Sequence, residues 1–224
     1  MDAAAMTSIR AVVATLAFVS SAAFAQTATL VATVIDGRGR PVADAVVVAV
    51  PADGARRIAA HPREEMVDQI DKEFKPVVKV VVVGTPVTFP NHDNVRHHVY
   101  SFSPAKRFEL PLYAGVPAQP VVFDKPGVIV LGCNIHDWMV GYIYVSESPY
   151  FGKTDPAGGA RLADLPPRAY VVRVWHPQME GDEQATRRDV DLTRAASAKL
   201  EWTLALKPEL RVRRAPGAQR GARY

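Results

Sequence analysis

The sequence predicts an all-β chain assembled from β-sandwiches. Two observations carry that expectation. Apolar residues come in short runs rich in valine, isoleucine and aromatics, closed by turn signals such as Asp36-Gly37 and Pro126-Gly127. Only Met66–Phe74 departs from this pattern, with Met66, Val67, Ile70 and Phe74 at near-helical spacing. The 224 residues, 48% hydrophobic and 22% charged, have ordinary globular composition and suit one large domain or two small ones.

In chain order, the first element is an address. Arg10 precedes an apolar run, Ala11 to Phe18, and Ala23-Phe24-Ala25 closes the segment with small residues. A basic start, a short apolar stretch and an A-x-A end predict a secretory signal peptide over residues 1–25, cleaved after Ala25. The apolar run is short for a membrane span, which needs ~20 residues. Strands are expected at Thr29–Ile35, Ala45–Val50, Val77–Val83, Pro86–Phe89, His98–Phe102, Val121–Phe123, Val128–Gly132, Val140–Val145, Ala169–Trp175 and Ala198–Leu206. Met66–Phe74 is either a short helix or an edge strand. Residues 180–194 are polar and charged and read as a loop, and the tail, 208–224, reads as disordered.

Charge and cysteine content narrow the function. Lys+Arg 27 against Asp+Glu 23 leaves a net charge of +4, and Arg211, Arg213, Arg214, Arg220 and Arg223 concentrate the excess in the tail. So local an excess is no argument for nucleic acid. One cysteine excludes an internal disulfide and any multi-cysteine zinc or iron–sulfur site. An exported lone thiol is open to oxidation unless it is buried or metal-bound, which makes Cys133 the residue to question first.

Around Cys133 the chain runs Gly127-Val128-Ile129-Val130-Leu131-Gly132-Cys133-Asn134-Ile135-His136-Asp137-Trp138-Met139. Ile129, Leu131 and Cys133 alternate and share one face of a strand. A tight loop then presents His136 and Met139, giving Cys-x-x-His-x-x-Met. Soft sulfur ligands with imidazole select copper over hard cations, and two histidines, a cysteine and a weak axial methionine make the blue-copper set. A second histidine must come from another strand. The segment Val87–Tyr100 supplies a strand, a polar loop and a strand beginning at His97-His98. If that strand starts at His97, then His97 and Val99 share one face and His98 and Tyr100 the other. This favours His97 and keeps His98 as the alternative.

Each residue has a plainer reading. Cys133 alone reads as a core thiol, Met139 as core filler and His136 as a loop residue; their joint spacing with an upstream histidine points to copper. Trp138 is either a lid over the site or core packing. His92 reads as solvent-facing, and His61 and His176, each before a proline, lie away from the copper-binding stretch.

The segment from about Phe74 to Glu147 resembles the cupredoxins through Val87–Tyr100 and Gly127–Met139, and its ligand loop is similar to the amicyanin type, with two residues on each side of the second histidine. That resemblance implies His97 as first imidazole ligand, Cys133 as thiolate, His136 as second imidazole and Met139 as axial thioether. His98 falls where the family usually has an asparagine that ties the ligand loops together. Separately, Leu30–Val47 and Gly152–Val174 resemble two halves of a carboxypeptidase regulatory-like (transthyretin-like) β-sandwich. Together the resemblances imply a Greek-key cupredoxin sandwich, residues 61–147, inserted into a small outer sandwich made of 26–60 and 148–207. Exposed loops accept such insertions. The split arrangement is similar to exported proteins labelled methylamine utilization proteins.

What this implies is a periplasmic protein holding one type 1 copper ion and carrying electrons. The partner expected is a redox protein, a dehydrogenase or c-type cytochrome, met through a small transient contact. Neither nucleic acid nor stable membrane insertion of the mature chain is expected, and oligomeric state stays open. An enzyme is disfavoured: the sequence has no G-x-S-x-G, no H-E-x-x-H, no Gly-rich phosphate loop and no His-x-His pairs. The alternatives are a copper storage, delivery or sensing module and a metal-free scaffold.

Overall fold

The computed structural model describes residues 27–55, 62–117 and 119–208. The expected export signal, His61, the boundary at residue 60 and the tail from residue 209 lie outside the described residues. The described chain is almost all β. Its strands are β1 (Ala28–Asp36), β2 (Val46–Pro51), β3 (Glu65–Met66), β4 (Asp68–Ile70), β5 (Glu73–Lys75), β6 (Val78–Val82), β7 (Thr85–Thr88), β8 (His97–Ser103) and β9 (Lys106–Tyr113), followed by β10 (Val121–Phe123), β11 (Gly127–Gly132), β12 (Val140–Ser146), β13 (Phe151–Lys153), β14 (Gly159–Leu165), β15 (Ala169–Trp175), β16 (Arg188–Asp191) and β17 (Ser197–Leu204). One 3-10 turn, Glu183–Thr186, interrupts them. Among the described residues no helix is long and apolar enough to cross a membrane.

The strands sort into two sets. One is drawn from both ends of the chain: a sheet ordered β14-β1-β17 faces a sheet ordered β13-β2-β15-β16. The other lies between them in sequence: a sheet ordered β6-β12-β11-β8-β9, a sheet ordered β10-β7-β3 and the hairpin β4-β5. Among the described residues every paired strand finds its partner within its own set.

Each set encloses its own core. Leu30, Val34, Val47, Leu162, Tyr170, Val172 and Trp202 fill the first. Phe74, Phe89, Val99, Phe123, Ile129, Leu131 and Ile143 fill the second, together with Cys133 and Met139. Each such side chain contributes about 1.5–3 kcal/mol when taken fully out of water. A third cluster, Val46, Val48, Val78 and Tyr144, joins the sets back to back. This explains an oddity of sequence. β1 alternates buried and partly exposed residues, as a strand with one inward face should, whereas β2 reads Val-Val-Val-Ala-Val and is buried on both faces. Val47 and Ala49 point into the first core, and Val46 and Val48 point into the joint.

Two expectations need correction or refinement. Residues 180–194 are not simply a loop: Asp182 caps the 3-10 turn by accepting the Gln184 N–H at 2.9 Å, and β16 follows on the edge of its sheet. β16 has three exposed residues and only Val190 turned inward, too little apolar content to signal a strand. Met66–Phe74 folds as the edge-strand alternative: β3 followed by the hairpin β4-β5, not a helix. Val67, Gln69 and Phe74 are buried while Met66 and Ile70 are exposed. Asp71 and Lys72 at the tip both take positive φ, the backbone of a tight two-residue hairpin turn.

Candidate metal centre

β11 carries Ile129 and Leu131 inward, and Cys133, the residue after its end, continues on that face at 4% exposure. The next six residues turn back into β12. The Met139 N–H donates to the His136 carbonyl at 2.9 Å and the Val140 N–H to the Trp138 carbonyl at 3.0 Å, so the loop is a compact turn. It leaves His136 partly exposed with the Trp138 ring 5.2 Å away, and buries Met139 in the cluster that holds Cys133. Gly132 is required by a close approach. The Tyr100 ring of β8 lies where a Cβ would be, 2.7 Å from it at its nearest.

β8 brings the fourth participant. His97, Val99 and Ser101 face inward and are buried, as the alternation requires. The register of β8 against β9 shifts between His97 and Val99. The Nδ1 of His97 lies 4.0 Å from Cys133 Sγ, and the Nδ1 of His136 lies 3.8 Å from the same sulfur. The two imidazole rings are 4.9 Å apart. One ligand atom from each of His97, Cys133 and His136 lies within 4.8 Å of the others.

This spacing fits a shared ion. Bond lengths of about 2.0 Å to nitrogen and about 2.3 Å to sulfur, as at zinc, opened to a trigonal angle, set nitrogen and sulfur about 3.7 Å apart. The donor set decides which ion: thiolate and imidazole beside a buried thioether suit copper better than hard cations.

The two adjacent histidines divide sharply. His97 is fully buried, and its Nε2 lies 2.7 Å from Asp93 Oδ2. His98 faces the other way, with Nε2 2.8 Å from Glu109 Oε1 on β9 and its buried Nδ1 lacking a hydrogen-bond partner among the described residues. His98 therefore does not tie the ligand loops together. Asn91 instead braces the histidine loop internally and against the end of β9: its amide donates to the carbonyls of Val95 and Tyr113, each at 2.9 Å, and its Oδ1 accepts the Asp93 N–H at 3.0 Å. Gln69, fully buried, donates from Nε2 to the Phe89 carbonyl at 3.0 Å and to the Tyr113 hydroxyl at 2.6 Å. Burial pushes the Tyr113 hydroxyl well above its usual pKa.

Burial alone would raise the Asp93 carboxyl. Hydrogen bonds from the Lys72 N–H, the His97 ring and the Asp71 N–H outweigh it and hold the carboxyl below its ordinary value. The bonding roles of Asp93, Asn91, Gln69 and Glu109 were not read from the sequence; Asn and Asp in a short polar loop read as turn formers. The one available signal is Asp93 four positions before His97. His92, expected to face solvent, is exposed but places Nδ1 2.6 Å from Asp68 Oδ1. His176 caps its own turn, accepting the Gln178 N–H at 3.2 Å.

No protein-family model matches the chain, and no curated protein matches it in sequence. Solved structures do. A purple cupredoxin from Nitrosopumilus maritimus aligns at 26% identity over 37% of this chain and 99% of its own, with a TM-score of 0.33. A copper-containing nitrite reductase from Thermus scotoductus aligns at 28% identity over 52% of this chain and 28% of its own, with a TM-score of 0.35. An oxidized proline-to-alanine mutant of amicyanin aligns at 22% identity over 40% of this chain and 87% of its own, with a TM-score of 0.34. Likenesses at this level add no weight to the geometry of His97, Cys133 and His136.

Proposed function

We propose that this chain is a copper-binding electron carrier whose metal is held by His97, Cys133, His136 and Met139. The convergence of two Nδ1 atoms on one buried sulfur carries this reading. Copper, when bound, supplies a one-electron couple between Cu(I) and Cu(II). The chain supplies everything else. β8, β11 and β12 fix the donor atoms within one sandwich, so little in the protein needs to move when charge changes. Burial of Cys133 at 4% and His97 at 0% keeps water from the sulfur and the first imidazole. His136, partly exposed beside Trp138 and the exposed Ile135, offers the edge at which a partner can approach.

In this reading residues 61–147 form a copper domain inserted into an outer sandwich of 26–60 and 148–207, and the separate cores support that division. The partner is a redox protein met by transient contact, the compartment is the periplasm reached through the segment before Gln26, and the protein is not an enzyme. Adding one equivalent of Cu(II) to purified protein tests the reading. An intense visible band from thiolate-to-copper charge transfer, with reversible voltammetry, is expected. No band and a freely titrating thiol would favour the metal-free scaffold; a band without reversible electron exchange would favour storage or delivery.

A further inference from the structure

Asp93 stands outside the four proposed ligands yet touches one of them. Its carboxylate accepts two backbone N–H groups and contacts the His97 ring at the same time. Oδ1 takes the Asp71 backbone N–H at 2.7 Å; Oδ2 takes the Lys72 backbone N–H at 2.8 Å and lies 2.7 Å from His97 Nε2. Asp71 and Lys72 are the two positive-φ residues at the tip of hairpin β4-β5, so the hairpin turns both N–H groups onto one side chain. The hairpin is in turn stitched to the histidine loop: the Gln69 N–H donates to the Pro90 carbonyl at 2.9 Å and the His92 N–H to the Gln69 carbonyl at 3.0 Å. Asp93 is 13% exposed and His97 not at all.

The hydrogen-bond inventory decides the protonation pattern. Two backbone N–H groups can only donate, and a carboxylate that receives one on each oxygen is an acceptor on both sides. The imidazole nitrogen facing Oδ2 is then also a donor. With the proton on Nε2, the lone pair of a neutral imidazole falls on Nδ1, the atom 4.0 Å from Cys133 Sγ. Which ring nitrogen binds a metal is set by the bond the other one makes.

We propose that Asp93 is the positioning residue of the copper centre: anchored by hairpin β4-β5, its carboxylate keeps the His97 proton on Nε2, aims Nδ1 at Cys133 and places a shielded negative charge that favours Cu(II) over Cu(I). This rests on the copper reading above and extends it. The hairpin thereby acquires a function. It has little apolar content of its own beyond Phe74, and its tip is shaped to hold one carboxylate. Outer carboxylates of this kind raise the basicity of a ligating histidine, and losing one costs about 10–100-fold in metal affinity.

Two measurements test the role. Nitrogen-15 NMR of the metal-free protein reads the His97 tautomer without copper, and the Nε2–H form is expected. Copper titrations with Asp93→Asn then read the charge. An amide cannot accept N–H groups on both of its ends, so the variant loses Cu(II) affinity more than Cu(I) affinity. The ratio of the two is expected to fall about tenfold, a rise of about 59 mV in a one-electron potential. Asp68→Asn, which alters a carboxylate of the same hairpin bonded to His92, should change neither readout. An Nδ1–H tautomer in the wild-type protein overturns the proposal whether or not the variant folds. So does an unchanged affinity ratio in Asp93→Asn, with the copper reading left standing. A wild-type protein that takes up no copper refutes the copper reading instead, and with it this role.

Discussion

The two cores of this molecule are built from the same materials and put to different use. Both are filled by valine, leucine and aromatic side chains from facing sheets, yet among the described residues only the core of the β3–β12 set holds buried sulfur. The core formed by the two ends of the chain closes with Tyr170, Leu192 and Trp202. The other ends in Cys133 and Met139, with the fully buried His97 beside them. Burying an imidazole costs free energy unless its nitrogens are satisfied. Asp93 satisfies one nitrogen of His97, and the other faces the thiol. The difference teaches that a sandwich accepts a reactive cluster where strands diverge into loops and where polar neighbours compensate the burial.

The comparison breaks most visibly at sulfur. Cys133→Ser should abolish the visible band entirely while the sandwich stays folded, as far-ultraviolet circular dichroism would report. Colour surviving in the serine variant would remove the thiolate from the account. Next in size is the contrast within β8. His97→Ala should destroy the copper spectrum and His98→Ala should keep it, since His98 turns toward Glu109. The opposite pattern in copper titrations would place the ligand one residue along.

A cut in the carbon-only core should do the reverse. Leu30→Ala is expected to cost about 2–5 kcal/mol in urea unfolding and to leave the spectrum of the folded fraction unchanged. Met139→Leu should keep the colour and raise the potential, because the axial ligand helps set it; voltammetry reads this directly.

The smallest effect concerns pH and lies far from the copper. The Asp36 carboxyl is held below its ordinary value of 3.8 by the Arg40 N–H and guanidinium, with help from the Arg38 N–H and against burial. A lowered carboxyl adds stability above its unfolded value and loses it as pH falls through the folded one. The stability gap between wild type and Asp36→Asn should therefore be open at pH 7 and narrow progressively as pH falls below about 3.8 towards the lower folded value, in denaturation curves taken across that range.

Much of this was legible in the sequence for a definite reason. Strands such as β1 and β15 announce themselves by alternation, and Cys133, His136 and Met139 sit in one loop whose spacing is itself the signal. His97 was preferred to His98 from the cupredoxin resemblance, with the parity of Val99 in support, and His97 turns toward Cys133 while His98 turns toward Glu109. What stayed hidden was polar or short. β9 is an edge strand carrying Pro111, with no residue of its eight fully buried. β16 has a single inward side chain. Asp93 does its work through backbone N–H groups of Asp71 and Lys72, which leave no trace in residue type.

The most direct measurement is a crystal structure of the protein grown with copper, with the metal located by its anomalous scattering. One copper atom bonded to His97 Nδ1, Cys133 Sγ and His136 Nδ1, with the Met139 sulfur along the axis, is the expected result. Copper bound elsewhere while the Cys133 sulfur keeps only carbon neighbours would contradict it.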